Sequence, residues 1–130
     1  VLDALAAYGE EIGVVFQLSD DLIDIASETS GKTPGTDLRE GVPTLPVLML
    51  RASAGPDDAR LLELTSRPIT DEDEVAEALA ALRAHPVLEE ARAEVERRAE
   101  VARGYLSRLP EGPARDALSA LCDQVVSRSH

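Results

Sequence analysis

Residues 12–26 read IGVVFQLSDDLIDIA. At about 100° per residue, Val14, Ile25, Leu18, Leu22, Val15, Ala26, Ile12, Ile23 and Phe16 fill an arc wider than half of a helical wheel, and only Ser19 interrupts it. The remaining strip holds Asp20, Gly13, Asp24, Gln17 and Asp21. Gly13, Gln17, Asp20 and Asp24 stand at i, i+4, i+7 and i+11, one line along one face. A helix this apolar is buried on most sides. Its polar strip is therefore expected to face a polar cavity inside a protein, with Leu22, Ile23 and Phe16 buried beside it. The helical period extends from Val1 to about Ser27 without a proline, and no segment of the chain alternates with the period of a strand. The fold class is all-α.

Outward from this helix, glycine and proline punctuate the chain. Residues 29–43 hold three glycines and two prolines and read as a loop. Thr44 stands where it can cap a helix that tolerates Pro46 in its first turn and runs to about Ser53. Gly55 and Pro56 end it, and Asp57 or Asp58 opens a short helix to about Thr65. Thr70-Asp71-Glu72-Asp73 resembles a capping box, with negative charge at a positive helix end, before a helix reaching Ala84. Pro86 starts the next, to about Leu109, and Pro113 the last, to about Ser127. Val75, Leu79 and Leu82 read as core. The Glu and Arg residues interleaved between Val87 and Leu109 read as a solvated face. His85 and His130 have no second ligand at metal spacing and read as structural or idle.

Composition limits the partners. The chain has 130 residues, 44% of them hydrophobic, enough for a core built from Leu, Val, Ile and Ala; the aromatics are Tyr8, Phe16 and Tyr105. Lys and Arg number 13 against 25 Asp and Glu, a net charge of −12. Such a surface repels nucleic acid and anionic membranes. No apolar run approaches the ~20 residues of a membrane span. Cys122 is the single cysteine, which excludes an intrachain disulfide and fits a reducing, cytoplasmic setting.

The carboxylates carry the chemistry. Asp20 and Asp24 sit one turn apart and repel each other unless a cation lies between or before them. Oxygen-only ligands suit Mg²⁺, which prefers one or two carboxylates together with waters and phosphate oxygens. Lys32 follows Asp24 by eight residues in a glycine-flanked stretch that could fold back over the strip. Carboxylates, a divalent metal and a lysine together make a diphosphate clamp. A solvated acidic stripe is the other reading of the same residues.

The ordered series Gly13, Phe16-Gln17, Asp20-Asp21, Asp24, Gly31-Lys32, Gly35-Thr36-Asp37-Leu38, Glu40-Gly41 and Thr44-Leu45-Pro46 resembles the second aspartate-rich region of trans-polyprenyl diphosphate synthases. His85-Pro86, Tyr105-Leu106, Leu109-Pro110 and Val125-Val126-Ser127-Arg128 resemble that family's closing helices, and the form GVPTLP at residues 41–46 is most similar to long-chain members. The resemblance implies a helical bundle of the isoprenoid synthase type around a deep cavity, with Mg²⁺ as cofactor. It implies isopentenyl diphosphate and an allylic diphosphate as substrates, and a homodimer. Asp20 resembles the direct metal ligand, and Asp21 and Asp24 its partners, acting directly or through metal-bound water. Gln17 and Lys32 resemble contacts to the allylic diphosphate, and Asp37 a residue supporting them.

Two departures qualify what is expected. Many members carry a lysine where Val42 stands, so one cationic contact is missing. The first aspartate-rich motif of the family does not occur in these residues. The expectation is therefore residues 1–130 as the C-terminal part of a synthase domain: a motif-bearing helix at 1–27, a lid-like loop at 29–43 and closing helices at 44–127, inactive alone. The alternatives are a natural, non-catalytic synthase-like subunit or helical interaction module, and, further off, a relative of the terpene cyclases.

Overall fold

The computed structural model describes residues 2–26 and 35–128. Seven α-helices follow one another among these residues: α1 (Leu2–Ala26), α2 (Thr36–Glu40), α3 (Leu45–Ser53), α4 (Ala59–Thr65), α5 (Glu72–Ala84), α6 (Pro86–Tyr105) and α7 (Pro113–Ser127). Single 3₁₀ turns lie at Pro56–Asp58 and Leu106–Arg108. No strand occurs among the described residues. The chain divides into two units, residues 1–20 with 92–130 and residues 21–91. One boundary falls within α1, between Asp20 and Asp21, and the other within α6.

The first unit has its own core. Tyr8, Ala102, Leu106 and Cys122 are buried together, with Ile12, Tyr105, Leu109 and Leu118 packed around them. The Tyr8 hydroxyl, out of reach of water, donates to the Leu118 carbonyl at 2.7 Å, as a buried phenol must. Burial and the neighbouring Cys122 thiol push its pKa up to about 12. Burial likewise pushes the Cys122 thiol up. Arg98 reaches from α6 to Glu11 on α1 at 3.4 Å. Arg103 binds Glu100, Asp123 and the Ser119 hydroxyl. Two arginines of α6 thus tie helices together instead of standing on a purely solvated face.

In the second unit α3 packs on α4, and α2 and α4 pack on α5. Leu50, Leu64, Ile69, Val75 and Leu82 are at most 1% exposed; for Val75 and Leu82 this is the core role read from the sequence. Across the solvent side, Arg60 pairs with Glu63, Glu74 and Glu77, and Arg67 with Glu63 and Glu74. Asp71 caps α5, its carboxylate accepting from the Asp73 amide at 2.8 Å. Thr44 occupies the cap position of α3, but its side chain makes no capping bond. His85 is structural: its Nδ1 accepts from the Val87 amide at 3.0 Å, which leaves Nε2 to donate to Asp58 at 3.0 Å.

α2 lies inside the segment read as a loop. Five residues are too few for a helix to persist alone, and three tertiary contacts account for it. Gly35 (φ +87°) and Gly41 (φ +74°) bound it. A Cβ on Gly35 would lie 3.0 Å from Val75 Cγ1, and one on Gly41 would lie 2.9 Å from the Pro68 nitrogen. The Ile69 amide donates to the Leu38 carbonyl at 3.2 Å, and Leu38 is buried against that unit's core. These two glycines serve close packing and a left-handed backbone. Lys32 and Gly31, with the rest of residues 27–34, lie outside the described residues.

Candidate functional site

α1 is continuous from Leu2 to Ala26, so Asp20 and Asp24 share a face at one-turn spacing. Much of the apolar arc is buried: Val15 and Leu22 are 0% exposed and Ile25 1%. Its margins, next to the polar strip, are not. Phe16 is 48% exposed and Val14 42%, and Ile23 is half-buried. The expectation that Phe16 and Ile23 are buried beside the carboxylates is corrected accordingly. A wheel ranks residues by polarity; it does not say how far the covering elements extend.

Asp20 is exposed and bonded to Arg128, just beyond the end of α7, at 2.8 Å. The same guanidinium lies 3.9 Å above the centre of the Phe16 ring. It donates to the Phe16 carbonyl at 3.0 Å and, through Nε, to the Ser19 hydroxyl at 3.1 Å. Ser19, the one break in the apolar arc, is fully buried. Its hydroxyl donates in turn to the Val125 carbonyl at 3.2 Å. A serine amid apolar neighbours was the sequence signal for this clasp, but its partners are 106 to 109 residues away.

Asp24 is half-buried and acts as a remote cap for α2. Its two carboxylate oxygens accept from the Thr36 and Asp37 amides at 3.2 Å each, and its carbonyl accepts from the Gly35 amide at 3.1 Å. Asp37 therefore lies near Asp24 by backbone contact. Burial first, then the charges of Asp24, Asp21 and Glu40, raises the pKa of the Asp37 carboxyl. Asp21 is half-buried, and Gln17 is exposed on the preceding turn of α1.

Among the described residues no three His, Cys, Asp or Glu side chains are gathered to hold a metal by themselves. Carboxylate oxygens nevertheless fit a hard cation, since Mg²⁺ takes only one or two of them and completes its shell with waters and phosphate oxygens. No described helix is long and apolar enough to cross a membrane.

Residues 1–82, which contain this motif, match the family model described as polyprenyl synthetase. The chain belongs to the polyprenyl synthetase family. It is 48% identical to a nonaprenyl diphosphate synthase of Mycobacterium tuberculosis, over 98% of this chain and 38% of that protein. To an octaprenyl diphosphate synthase of Escherichia coli it is 36% identical, over 95% of this chain and 39% of that one. A crystal structure of geranylgeranyl pyrophosphate synthase from Corynebacterium glutamicum, complexed with calcium and isoprenyl diphosphate, superimposes with a TM-score of 0.89 at 41% identity, covering 97% of this chain and 40% of that one. The all-α reading and the family resemblance both hold. The chain spans about 40% or less of these relatives' lengths.

Proposed function

We propose that this chain supplies the second aspartate-rich, metal- and diphosphate-binding part of a polyprenyl diphosphate synthase. The enzyme would join isopentenyl diphosphate to an allylic diphosphate. The observation that carries the reading is one unbroken helix bearing Asp20 and Asp24 at one-turn spacing, with Asp20 exposed, in a chain of the polyprenyl synthetase family. In it, Asp20 is a ligand for Mg²⁺, and Asp21 and Asp24 support it directly or through water. Gln17 and Lys32 contact the allylic diphosphate, and Asp37, held by its amide to Asp24, is a supporting residue. When bound, the metal supplies Lewis acidity that stabilises charge on the departing diphosphate. The chain's own contribution is to carry the carboxylates one turn apart on one continuous helix and to exclude water from the buried side of α1. These 130 residues contain one DDxxD motif and do not catalyse the condensation alone. The working enzyme is a homodimer.

The test is Mg²⁺-dependent incorporation of labelled isopentenyl diphosphate onto an allylic primer by the intact natural polypeptide. Asp20→Asn is expected to lower turnover about a hundredfold or more, the scale of one lost charge-stabilising group. Near-normal turnover of that variant at saturating Mg²⁺ would exclude Asp20 as a ligand.

A further inference from the structure

We infer that Arg128 is a positioning residue for Asp20 that weakens the binding of a free divalent cation there. This rests on the proposed role of Asp20 as a metal ligand. Arg128 is not a loose surface side chain. Its guanidinium makes three hydrogen bonds to the Phe16–Asp20 turn and stacks on the Phe16 ring. The buried Ser19 hydroxyl locks the far side by bonding both Arg128 Nε and the Val125 carbonyl. The backbone there is fixed as well, with the Arg128 amide donating to the Gln124 carbonyl at 3.2 Å. A planar fork held at so many points keeps little freedom to swing away.

Two consequences follow for Asp20. Its Oδ1 accepts from Nη2 at 2.8 Å, so its orientation is tied to Arg128, the residue that follows α7. A permanent positive charge also stands against the carboxylate. One unit charge about 5 Å from a divalent ion, at a water-like dielectric, opposes binding by roughly tenfold before salt screening. Asp21 and Asp24 on the same helix add negative charge that offsets part of this, but they are the same in every variant compared, so the difference made by Arg128 remains. An anionic ligand that arrives with the metal meets the opposite field, because the same guanidinium attracts phosphate oxygens. Arg128 thereby makes cation loading depend on the anion.

The experiment is a Mn²⁺ titration of the intact natural polypeptide, read by the EPR signal of free Mn²⁺, with and without inorganic diphosphate. Proteins compared are the wild type, Arg128→Gln, Arg128→Lys, Asp20→Asn and the Arg128→Gln/Asp20→Asn pair. Without diphosphate, Arg128→Gln is expected to tighten Mn²⁺ binding about three- to tenfold. Arg128→Lys, which keeps the charge, is expected to stay near wild type. The gain should vanish in the Asp20→Asn background, as a double-mutant cycle requires of a direct pair. With diphosphate the advantage of Arg128→Gln should shrink or reverse. If Asp20→Asn leaves Mn²⁺ affinity unchanged, the metal reading of Asp20 fails, and this inference falls with it. If Asp20→Asn weakens binding while Arg128→Gln does not tighten it, the metal reading stands and the role given to Arg128 is wrong. A gain equal in Arg128→Gln and Arg128→Lys would also overturn it, since the effect would then not be charge.

Discussion

Replacing Asp24 by alanine separates a structural from a chemical role for the same carboxylate. The substitution deletes the acceptors of two backbone amides, those of Thr36 and Asp37, each at 3.2 Å. Loss of a capping carboxylate costs about 0.5–2 kcal/mol. Bonds to a charged acceptor are worth roughly 1.5–3 kcal/mol when well shielded, but Thr36 is exposed and the distances are long, which favours the lower figures. Part of the loss is returned, because the Asp24 charge is one of those that disfavour the ionised Asp37 carboxyl, after burial. The net expectation is about 1–2 kcal/mol and a fall in Tm of roughly 3–8 °C. Asp24→Asn keeps one acceptor oxygen and should lose about half as much. Thermal unfolding gives the total, and amide exchange by NMR locates it: Thr36 and Asp37 should lose protection while the α5 amides keep theirs. Asp20→Ala is the comparison. Arg128 is fixed by its other partners, but the Asp20 carboxylate itself is exposed, and a pair open to solvent contributes about 0–1 kcal/mol. Unchanged protection of both amides in Asp24→Ala would refute the capping role.

Other outcomes are expected from the same structure. Since folding raises the Tyr8 pKa to about 12, the unfolded chain releases its phenolic proton near pH 10 while the folded chain keeps it. Stability is intact below pH 10 and declines as pH rises through 12, by about 3 kcal/mol in all. The Cys122 thiol is also raised and adds to the alkaline loss, so the measurable quantity is the difference in denaturation midpoint between wild type and Tyr8→Phe. That variant should be less stable at neutral pH by about 1 kcal/mol, for the lost bond to Leu118, and should draw level at about pH 11 and be the more stable of the two at pH 12. Gly41→Ala should destabilise by about 2 kcal/mol or more, through its left-handed backbone and the contact with Pro68. Gly55→Ala, at φ −102° with nothing near its Cβ, should be neutral or stabilising by urea denaturation. Leu2, Leu5 and Phe16 expose apolar surface along α1, and light scattering should find self-association that Phe16→Ser reduces.

What the sequence discloses here is what neighbouring residues decide. The extent of α1 is legible because Val15, Leu22 and Ile25 recur on one face, and the starts of α3, α5 and α7 because a proline or a capping aspartate stands at each. α2 is illegible for the opposite reason. Its determinants are Asp24 from another helix, the space against Val75 that excludes a Cβ at Gly35, and the bond from Ile69, none of them local. Phe16 was misjudged because an apolar side chain does not report what covers it. The pairing of Asp20 with Arg128 joins positions 108 apart, beyond any reading by period or spacing. Family resemblance supplied the roles proposed for the carboxylates, but it could not tell which of them the fold also uses.

That distinction decides how mutants at this motif are to be interpreted. Asp24 binds backbone, and freeing it unfastens α2 together with the Asp37 amide. Asp20 binds one arginine side chain that other contacts also hold, and freeing the exposed carboxylate costs about 0–1 kcal/mol with no backbone released. Loss of activity at Asp24 is therefore ambiguous unless Thr36 and Asp37 keep their protection, because a helix terminus and its supporting residue are lost with the carboxylate. Loss at Asp20 with unchanged melting has no such structural route. Between two acids of one helix, the one the fold needs less gives the cleaner evidence about chemistry.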